Sequence, residues 1–331
     1  MQIYLSAQTG GVNSFSFLNI EISARTEAMG GNTIALYNDL PSIQTTPSLL
    51  NKDMHNQLVF LFGDYFADIN LVGFSYARFF EQVGVIALSV KAVDYGEFEL
   101  NDEFGTSNGN FNAHDEIVTF SLSRRLSESL FLGTNVNFLN SVYASYNSML
   151  VSTNISTTYH DYSKKFTSTL LLKNIGRQIN RYTNTSENLP FEIQLGISKK
   201  LKYLPFQYHI VYENINDFYI DSPYKLASQT NFETGLLEVK EEMFLKTFLR
   251  HVIIGGELNP FRKSLFFRGG FNFQRRFDMS LLSNPGFVGF SWGIGFRFAK
   301  FSIDYSRSSY HLSGTPNNFS FAVDFNKILI K

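Results

Sequence analysis

Residues 286–300 read GFVGFSWGIGFRFAK, and alternate positions of this stretch sort into two unlike faces. Val288, Phe290, Trp292, Ile294, Phe296 and Phe298 share one parity; Gly289, Ser291, Gly293, Gly295 and Arg297 share the other. A period of two marks a strand. A run of large apolar residues on one face exceeds what a half-buried surface strand needs. The two segments that follow repeat the pattern. Phe301, Ile303 and Tyr305 oppose Ser302, Asp304, Ser306 and Ser308; Phe319, Phe321, Val323 and Phe325 oppose Ser320, Ala322, Asp324 and Asn326. Almost nothing separates the first strand from the second, and HLSGTPNN separates the second from the third. The pattern predicts an antiparallel meander with one apolar face and one face of small polar side chains. In water a second sheet would have to cover the apolar face, whereas in a bilayer lipid covers it. Transmembrane barrels alternate apolar-out and polar-in over segments of about ten residues, with short turns at one mouth and longer loops at the other.

The alternation extends upstream to Gln57. Phe60 and Phe62, Val72 and Phe74, Leu88 and Val90, Phe120 and Leu122, Val136 and Phe138, Ile193 and Leu195, Tyr208 and Ile210, and Phe267 and Phe271 each mark an apolar face. About fourteen strands result, an even number as single-chain bacterial barrels have. Their connections segregate by parity. FEQ, RLSES, DYSKK, KKLKYLP, NPFRK and the two-residue link at Ala299 follow even strands and are short; the long connections follow odd strands. A soluble sandwich or propeller has no reason to sort loop lengths in this way. The expected fold is therefore all-β, an antiparallel transmembrane outer-membrane barrel of about fourteen strands with a small N-terminal segment as lumen plug or periplasmic cap. Phe273 and Val288 are read as strand residues, Phe166 to Asn174 as a weaker strand, and Glu97–Asp115 and Ile175–Leu189 as polar loops.

The expected organisation is residues 1–8 as the remnant of a signal peptide, 9–56 as the plug or periplasmic segment, and 57–331 as the barrel, with a helical loop insertion at 214–251. Leu5-Ser6-Ala7 before Gln8 has the form of a signal-peptidase site without the upstream basic and apolar regions. An ordinary terminus is the other reading. Within 9–56, Ile22 to Met29 suits a short helix. In the insertion, Glu233 to Arg250 reads as a helix, with Leu237, Phe244, Leu245, Phe248 and Leu249 compatible with one face. That face either packs over the barrel mouth or is shared with a docked protein.

Composition narrows the function classes. The 331 residues are 44% hydrophobic, 16% aromatic and 17% charged, with a formal net charge of -1. Nothing there forms the basic stripe that nucleic acid requires. Without cysteine there are no disulfides and no Cys-ligated zinc. No run of about eighteen apolar residues exists to make a helical span. The six histidines are scattered without metal-ligand spacing. Gly293 and Gly295 form a G-x-G inside a strand, without the third glycine or the helix that phosphate binding needs. Ser222 to Lys225 matches S-x-x-K, but Lys246-Thr247 is followed by Phe248 and the partner motifs are missing. No catalytic constellation and no cofactor are expected. The charged residues Lys91, Glu257, Arg268, Arg297 and Asp304 fall on lumen parity and are candidates for a salt-bridged interior. Arg25 is a further lumen candidate; it pairs with a carboxylate such as Glu257 or Asp304, or else faces periplasmic water. The aromatic and apolar start of the insertion, Phe218, Tyr219, Ile220 and Tyr224, exceeds what a solvating loop needs and makes these the candidate partner-docking residues.

Residues 11–50, GVNSFSFLNIEISARTEAMGGNTIALYNDLPSIQTTPSLL, resemble the opening of the PorV/PorQ family of type IX secretion proteins, relatives of the FadL-type barrels. The PorQ branch fits best, through Phe15-Ser16-Phe17-Leu18-Asn19, Ala24-Arg25, Gly30-Gly31-Asn32, Asp39 and Pro47. Arg250-His251 before Gly255-Gly256-Glu257, Arg275-Arg276, Asp304-Tyr305 and Ser309-Tyr310-His311-Leu312 extend the resemblance over nearly the whole chain. The chain departs from the family at Thr46-Pro47-Ser48, where an Asn-Pro-Ala step is usual, and by running six residues past Phe325. The resemblance implies a non-enzymatic subunit of the type IX attachment complex in the outer membrane of a Bacteroidota-type Gram-negative bacterium. It would anchor a PorZ-like surface protein near a PorU-like sortase and a PorV-like barrel. Fold analogy alone offers a FadL-like channel for hydrophobic solutes, or a generic porin.

Overall fold

The computed structural model describes residues 15–102, 104, 106–220, 229–230, 237–238, 243–261, 264–281, 285–311 and 314–326. Fourteen of its strands close into one antiparallel barrel. In chain order they are β1 (Gln57–Asp64), β2 (Asn70–Phe80), β3 (Gly84–Asn101), β4 (Ser107–Arg125), β5 (Leu130–Tyr143), β6 (Tyr146–Asp161), β7 (Phe166–Asn180), β8 (Glu192–Lys200) and β9 (Phe206–Tyr212). β12 (Val252–Leu258), β13 (Leu265–Asn272), β14 (Phe290–Phe298), β15 (Phe301–Ser308) and β16 (Asn317–Asp324) complete it. Two short strands, β10 (Gln229–Thr230) and β11 (Leu237–Glu238), pair with each other outside the barrel. Each barrel strand pairs with its neighbour in the chain, and β1 closes the ring on β16 with Phe60 opposite Phe321. Closure leaves no unpaired edge, the condition for a sheet to sit in lipid, where no water can satisfy an open edge.

The outer surface is apolar where the alternation predicts. Val72, Phe120, Phe138, Leu170, Phe290, Trp292, Phe296, Ile303 and Phe319 are exposed around the ring. Inward positions are small and polar: Ser75, Ser89, Ser121, Asn135, Asn137, Ser152, Asn154, Ser156 and Ser306 are buried. The chain is thus a closed antiparallel barrel of the transmembrane type, with a small N-terminal segment in its lumen. The connections after even-numbered positions around the ring, from residues 81–83 to the pair Ala299 and Lys300, are all short and lie at one mouth. The other mouth carries all the long connections along with short ones such as residues 144–145. The first mouth also holds both ends of the barrel chain, and short turns make it the periplasmic one.

Inside lie residues 15–56, carrying a five-residue helix α1 (Ala24–Ala28) and four short 3-10 turns. The Ser23 hydroxyl accepts the amide of Thr26 and starts α1. Gly30 (φ 105°) and Gly31 (φ 89°) end it in a conformation that favours glycine. Ile22, Leu40, Ile43, Leu50 and Met54 pack on Val59, Leu61 and Leu71 of the wall. Phe15, Phe17 and Leu18 pack on Ile117, Leu139 and Leu150.

Several expectations are corrected. Most of Glu97–Asp115 is not loop, because β3 continues to Asn101 and β4 begins at Ser107, with Phe98 stacked on Phe111 at 5.3 Å. A strand that rises beyond the bilayer can be polar on both faces, which hides it from a lipid-face criterion. β7 likewise runs to Asn180, past a register shift and the positive φ of Asn174 (60°), which displaces the start of the Ile175–Leu189 loop. Phe273 opens the helix α3 (Phe273–Asp278) instead of extending β13. Val288 precedes β14 and is buried, not lipid-facing. Of the helix read over Glu233–Arg250, the described residues show α2 (Phe244–Arg250), and Leu237–Glu238 pair as β11. Ser222 to Lys225 lie outside the described residues.

Candidate functional site

Among the polar contacts between plug and barrel wall three groups stand out, and a set of glycines lets the two approach closely. The first contact centres on Arg25, placed by α1 so that its guanidinium points at β12. Its Nε and Nη2 donate to both oxygens of Glu257 at 3.1 and 3.2 Å, and its Nη1 donates to Asp39 at 3.2 Å. Glu257 stands opposite Arg268 in the β12–β13 register. Arg268 donates to Glu257 at 2.7 Å and to Asp304 at 2.6 Å. Gly295 allows the last pair, because a Cβ there would lie 2.7 Å from the Arg268 Nη1 and closer still to Asp304. The lumen candidates Arg25, Glu257, Arg268 and Asp304 thus form one chain of ion pairs running from plug to wall, extended by Asp39. Burial alone would lower the Arg25 guanidinium; the carboxylates of Glu257 and Asp39 more than reverse this and hold it above its ordinary value.

The second contact lies nearer the outer mouth. Glu27, fully buried, accepts from Arg275 at 3.1 and 3.3 Å, from the Tyr310 hydroxyl at 2.9 Å and from Ser308 at 2.8 Å. The Arg275 guanidinium also lies over the Tyr310 ring at 3.8 Å. Arg275 belongs to α3, and Tyr310 to the connection between β15 and β16, so loops at the outer mouth hold the plug from above. Burial would lower Arg275, but Glu27 raises it above the usual arginine range; burial also drives the Tyr310 hydroxyl up.

The third contact uses wall amides. Asn135 donates to the Gln44 carbonyl at 2.8 Å, and Asn154 to Thr45 at 3.1 Å. The Ser48 amide donates to Ser156 at 2.9 Å, and its hydroxyl bonds Thr158 at 2.7 Å. At the departure from Asn-Pro-Ala, Pro47–Leu49 forms a 3-10 turn whose Ser48 is matched by wall hydroxyls, while the Thr46 hydroxyl is buried without a hydrogen-bond partner among the described residues. Glycines take the plug at its closest approaches. A Cβ on Gly133 would collide with Pro47 and Ser48, and one on Gly270 with Met29 and Gly30.

The remaining candidates are distributed differently. Lys91 is buried and donates to the carbonyls of Ile20 at 2.9 Å and Phe17 at 3.4 Å. Arg297 is not part of the ion-pair chain; it is exposed at the periplasmic mouth with its guanidinium 4.6 Å from the Phe266 ring centre. It lines a cavity of about 480 Å³ between the plug and strands β1 and β14–β16, together with Arg25, Asp39, Lys300 and Asp304. Phe218 stacks on Phe244 and His251 at 5.5 and 5.6 Å, so it packs within the loop assembly. Tyr219 beside it is 69% exposed. Ile220 is half-buried, and Tyr224 lies outside the described residues. Sequence reasoning did not single out Glu27 or Lys173, and named Asp39, Arg275 and Tyr310 only in the family resemblance. Among the described residues no group of three or more His, Asp and Glu is placed to hold a metal ion.

No protein-family profile matches the chain, and no curated protein does. Solved structures do match in fold. The Ralstonia pickettii toluene transporter TbuX superposes with a TM-score of 0.52 at 11% identity, over 92% of this chain and 98% of TbuX. The Pseudomonas putida toluene transporter TodX gives 0.50 at 11% identity, over 91% and 96%. The CymD monoaromatic hydrocarbon channel gives 0.50 at 12%, over 93% and 98%.

Proposed function

We propose that this chain is a plugged outer-membrane barrel that anchors a protein partner at the cell surface and does not conduct through its lumen. The observation that carries this reading is the filled lumen, in which residues 15–56 are bolted to the wall by buried ion pairs near one mouth and by Glu27 near the other. The family resemblance supplies the finer assignment. On that reading the chain is a PorQ-like subunit of a type IX attachment complex in a Bacteroidota-type bacterium, holding a PorZ-like surface protein beside a PorU-like sortase and a PorV-like barrel. The exposed part of the insertion, with Tyr219 foremost, is the docking surface this favours. The test is an affinity pull-down from detergent-solubilised outer membrane. The expected result is co-purification of a surface protein, with a tagged barrel of similar size as control. Recovery of the barrel alone from cells that carry the partner would reject the anchor.

A second reading, a channel for hydrophobic solutes, is favoured by one observation: the fold likeness to TbuX, TodX and CymD spans more than nine-tenths of each chain. For this chain it requires an apolar path past the plug; the cavity at the periplasmic mouth offers Leu40, Met54, Val59 and Phe301, but Arg25, Asp39, Arg297 and Asp304 share its lining. Toluene uptake by cells expressing the barrel, above that of cells lacking it, would support the channel.

A further inference from the structure

Two buried ammonium groups meet in the lumen in a place the ion-pair chain does not reach. Lys91 of β3 and Lys173 of β7 are each only 6% exposed, and both line a small cavity between the plug and strands β3–β7. Glu21, Thr119, Asn154 and Asn174 complete the part of the lining that matters here. The cavity measures about 30 Å³, room for one or two water-sized species.

Lys173 is the informative residue. Among the described residues its ammonium makes no hydrogen bond and no ion pair, although it carries three N–H donors. Its cross-strand neighbour is Glu192, yet that carboxylate takes Gln194 at 2.7 Å and the Asn214 amide at 3.3 Å. Glu213 is held by Asn32. Neither carboxylate lines the cavity or comes within 4.0 Å of the Lys173 nitrogen. Lys91 is only partly satisfied, by the two plug carbonyls of Ile20 and Phe17.

Glu21 is the carboxylate that lines the cavity with both lysines, and one of its oxygens is occupied by the amides of Ile22 and Ser23 at 2.9 and 2.7 Å; Asp115 and Glu213 act on Lys91 and Lys173 from farther off. Burial pushes the Glu21 carboxyl up, against those amides and against the pull of Lys91. Two acceptors of the lining are taken: the side-chain oxygen of Asn154 accepts the Asn174 amide, and that of Asn137 accepts the Thr119 hydroxyl. An ionised ammonium with so little access to water and no partner is unfavourable, and pairing relieves it.

We propose that this cavity binds a halide-sized anion, held between the ammonium groups of Lys91 and Lys173. The bound ion supplies the partner that Lys173 lacks and ties the plug segment Phe17–Glu21 to the wall through Lys91. The site is independent of whether the barrel anchors a partner or passes a solute.

The test uses the full-length barrel, purified in detergent and crystallised with sodium bromide in place of chloride. An anomalous bromide peak in the cavity, within hydrogen-bonding distance of Lys173, is the expected result; the Lys173→Met variant should lose it. In solution, replacing gluconate by chloride at constant ionic strength should raise the wild-type unfolding midpoint by about 1–3 °C, and the rise should vanish in K173M. If K173M does not fold, the wild-type bromide map and the anion dependence of its midpoint still decide. A cavity holding only water in bromide crystals, a midpoint indifferent to the anion, or a bromide peak that survives in K173M would each overturn the proposal.

Discussion

Replacing Glu257 by glutamine tests whether the plug is fixed by charge. The substitution keeps the side-chain shape and removes the charge that Arg25 and Arg268 share. Breaking a buried ion pair from one side costs roughly 3–5 kcal/mol, since the partner is left uncompensated. Here each arginine keeps a second carboxylate, Asp39 for Arg25 and Asp304 for Arg268. The cost should therefore fall at the low end, about 3 kcal/mol. At about 1.4 kcal/mol per factor of ten, that loosens the seated plug by roughly a hundredfold. In planar bilayers the wild-type barrel should stay closed, and E257Q should show intermittent large openings. Its unfolding midpoint in detergent should drop as well. The pair can be isolated with a cycle of Arg25→Gln, Glu257→Gln and the double variant, in which the double loss should be clearly smaller than the sum of the single losses. Because the pair is buried, raising salt should change the wild type little. If E257Q is as silent as the wild type and unfolds at the same denaturant concentration, the ion pairs do not hold the plug and the reasoning fails.

Other outcomes follow from the same geometry. Gly133→Ala and Gly270→Ala should each destabilise by about 1–3 kcal/mol through overpacking against Ser48 and Met29, measured as a lowered midpoint with the strand content retained. Ile294→Arg, on the lipid face, should cost about 2–4 kcal/mol and impair membrane assembly. Gly293→Arg should instead assemble and disturb the plug, because its Cβ would lie 2.6 Å from that of Ala28; fractionation together with conductance separates the two. Replacing Asn216–Gly235 with a Gly/Ser linker should leave the barrel in the membrane and release a surface partner into the medium. Retention of the partner on the cells would place docking elsewhere.

The barrel was legible because lipid imposes a strict rule: each crossing must be apolar at every second residue, as Phe290, Trp292, Ile294 and Phe296 are. Loop parity then oriented the sheet. The rule lapses outside the bilayer, and there the reading failed. Phe98 and Phe111 stack in a strand pair surrounded by polar residues, Phe273 is aromatic yet helical, and Val288 turns inward. The charged lumen was half legible. Parity placed Glu257, Arg268 and Asp304 inside, but which charge meets which depends on contacts between residues as far apart as Arg25 and Glu257, 232 positions away. Arg297 shows the limit of parity, since it obeys the alternation but lies at the mouth, where water and Phe266 suffice. Glu27 carried no signal of its own, because its partners come from loops whose course alternation does not describe.

Those loops bear on how lumen and surface are related. Arg275, which grips Glu27 of the plug, sits on α3. That helix is joined to α2 by the buried pair of Asp278 with Arg250 at 3.0 Å and by Lys246 over the Phe277 ring at 5.4 Å. The first residue of α2, Phe244, stacks on Phe218, next to the exposed Tyr219. A continuous series of packed and ion-paired side chains therefore joins the plug to the candidate docking surface. In an open pore the surface loops could vary without consequence for the lumen. Here the loop that covers the mouth also supplies the cation that Glu27 requires, so the loop cannot be rearranged without leaving a carboxylate buried and unpaired. That penalty favours one arrangement of α3 and of the α2 helix packed on it, which the proposed docking role would use.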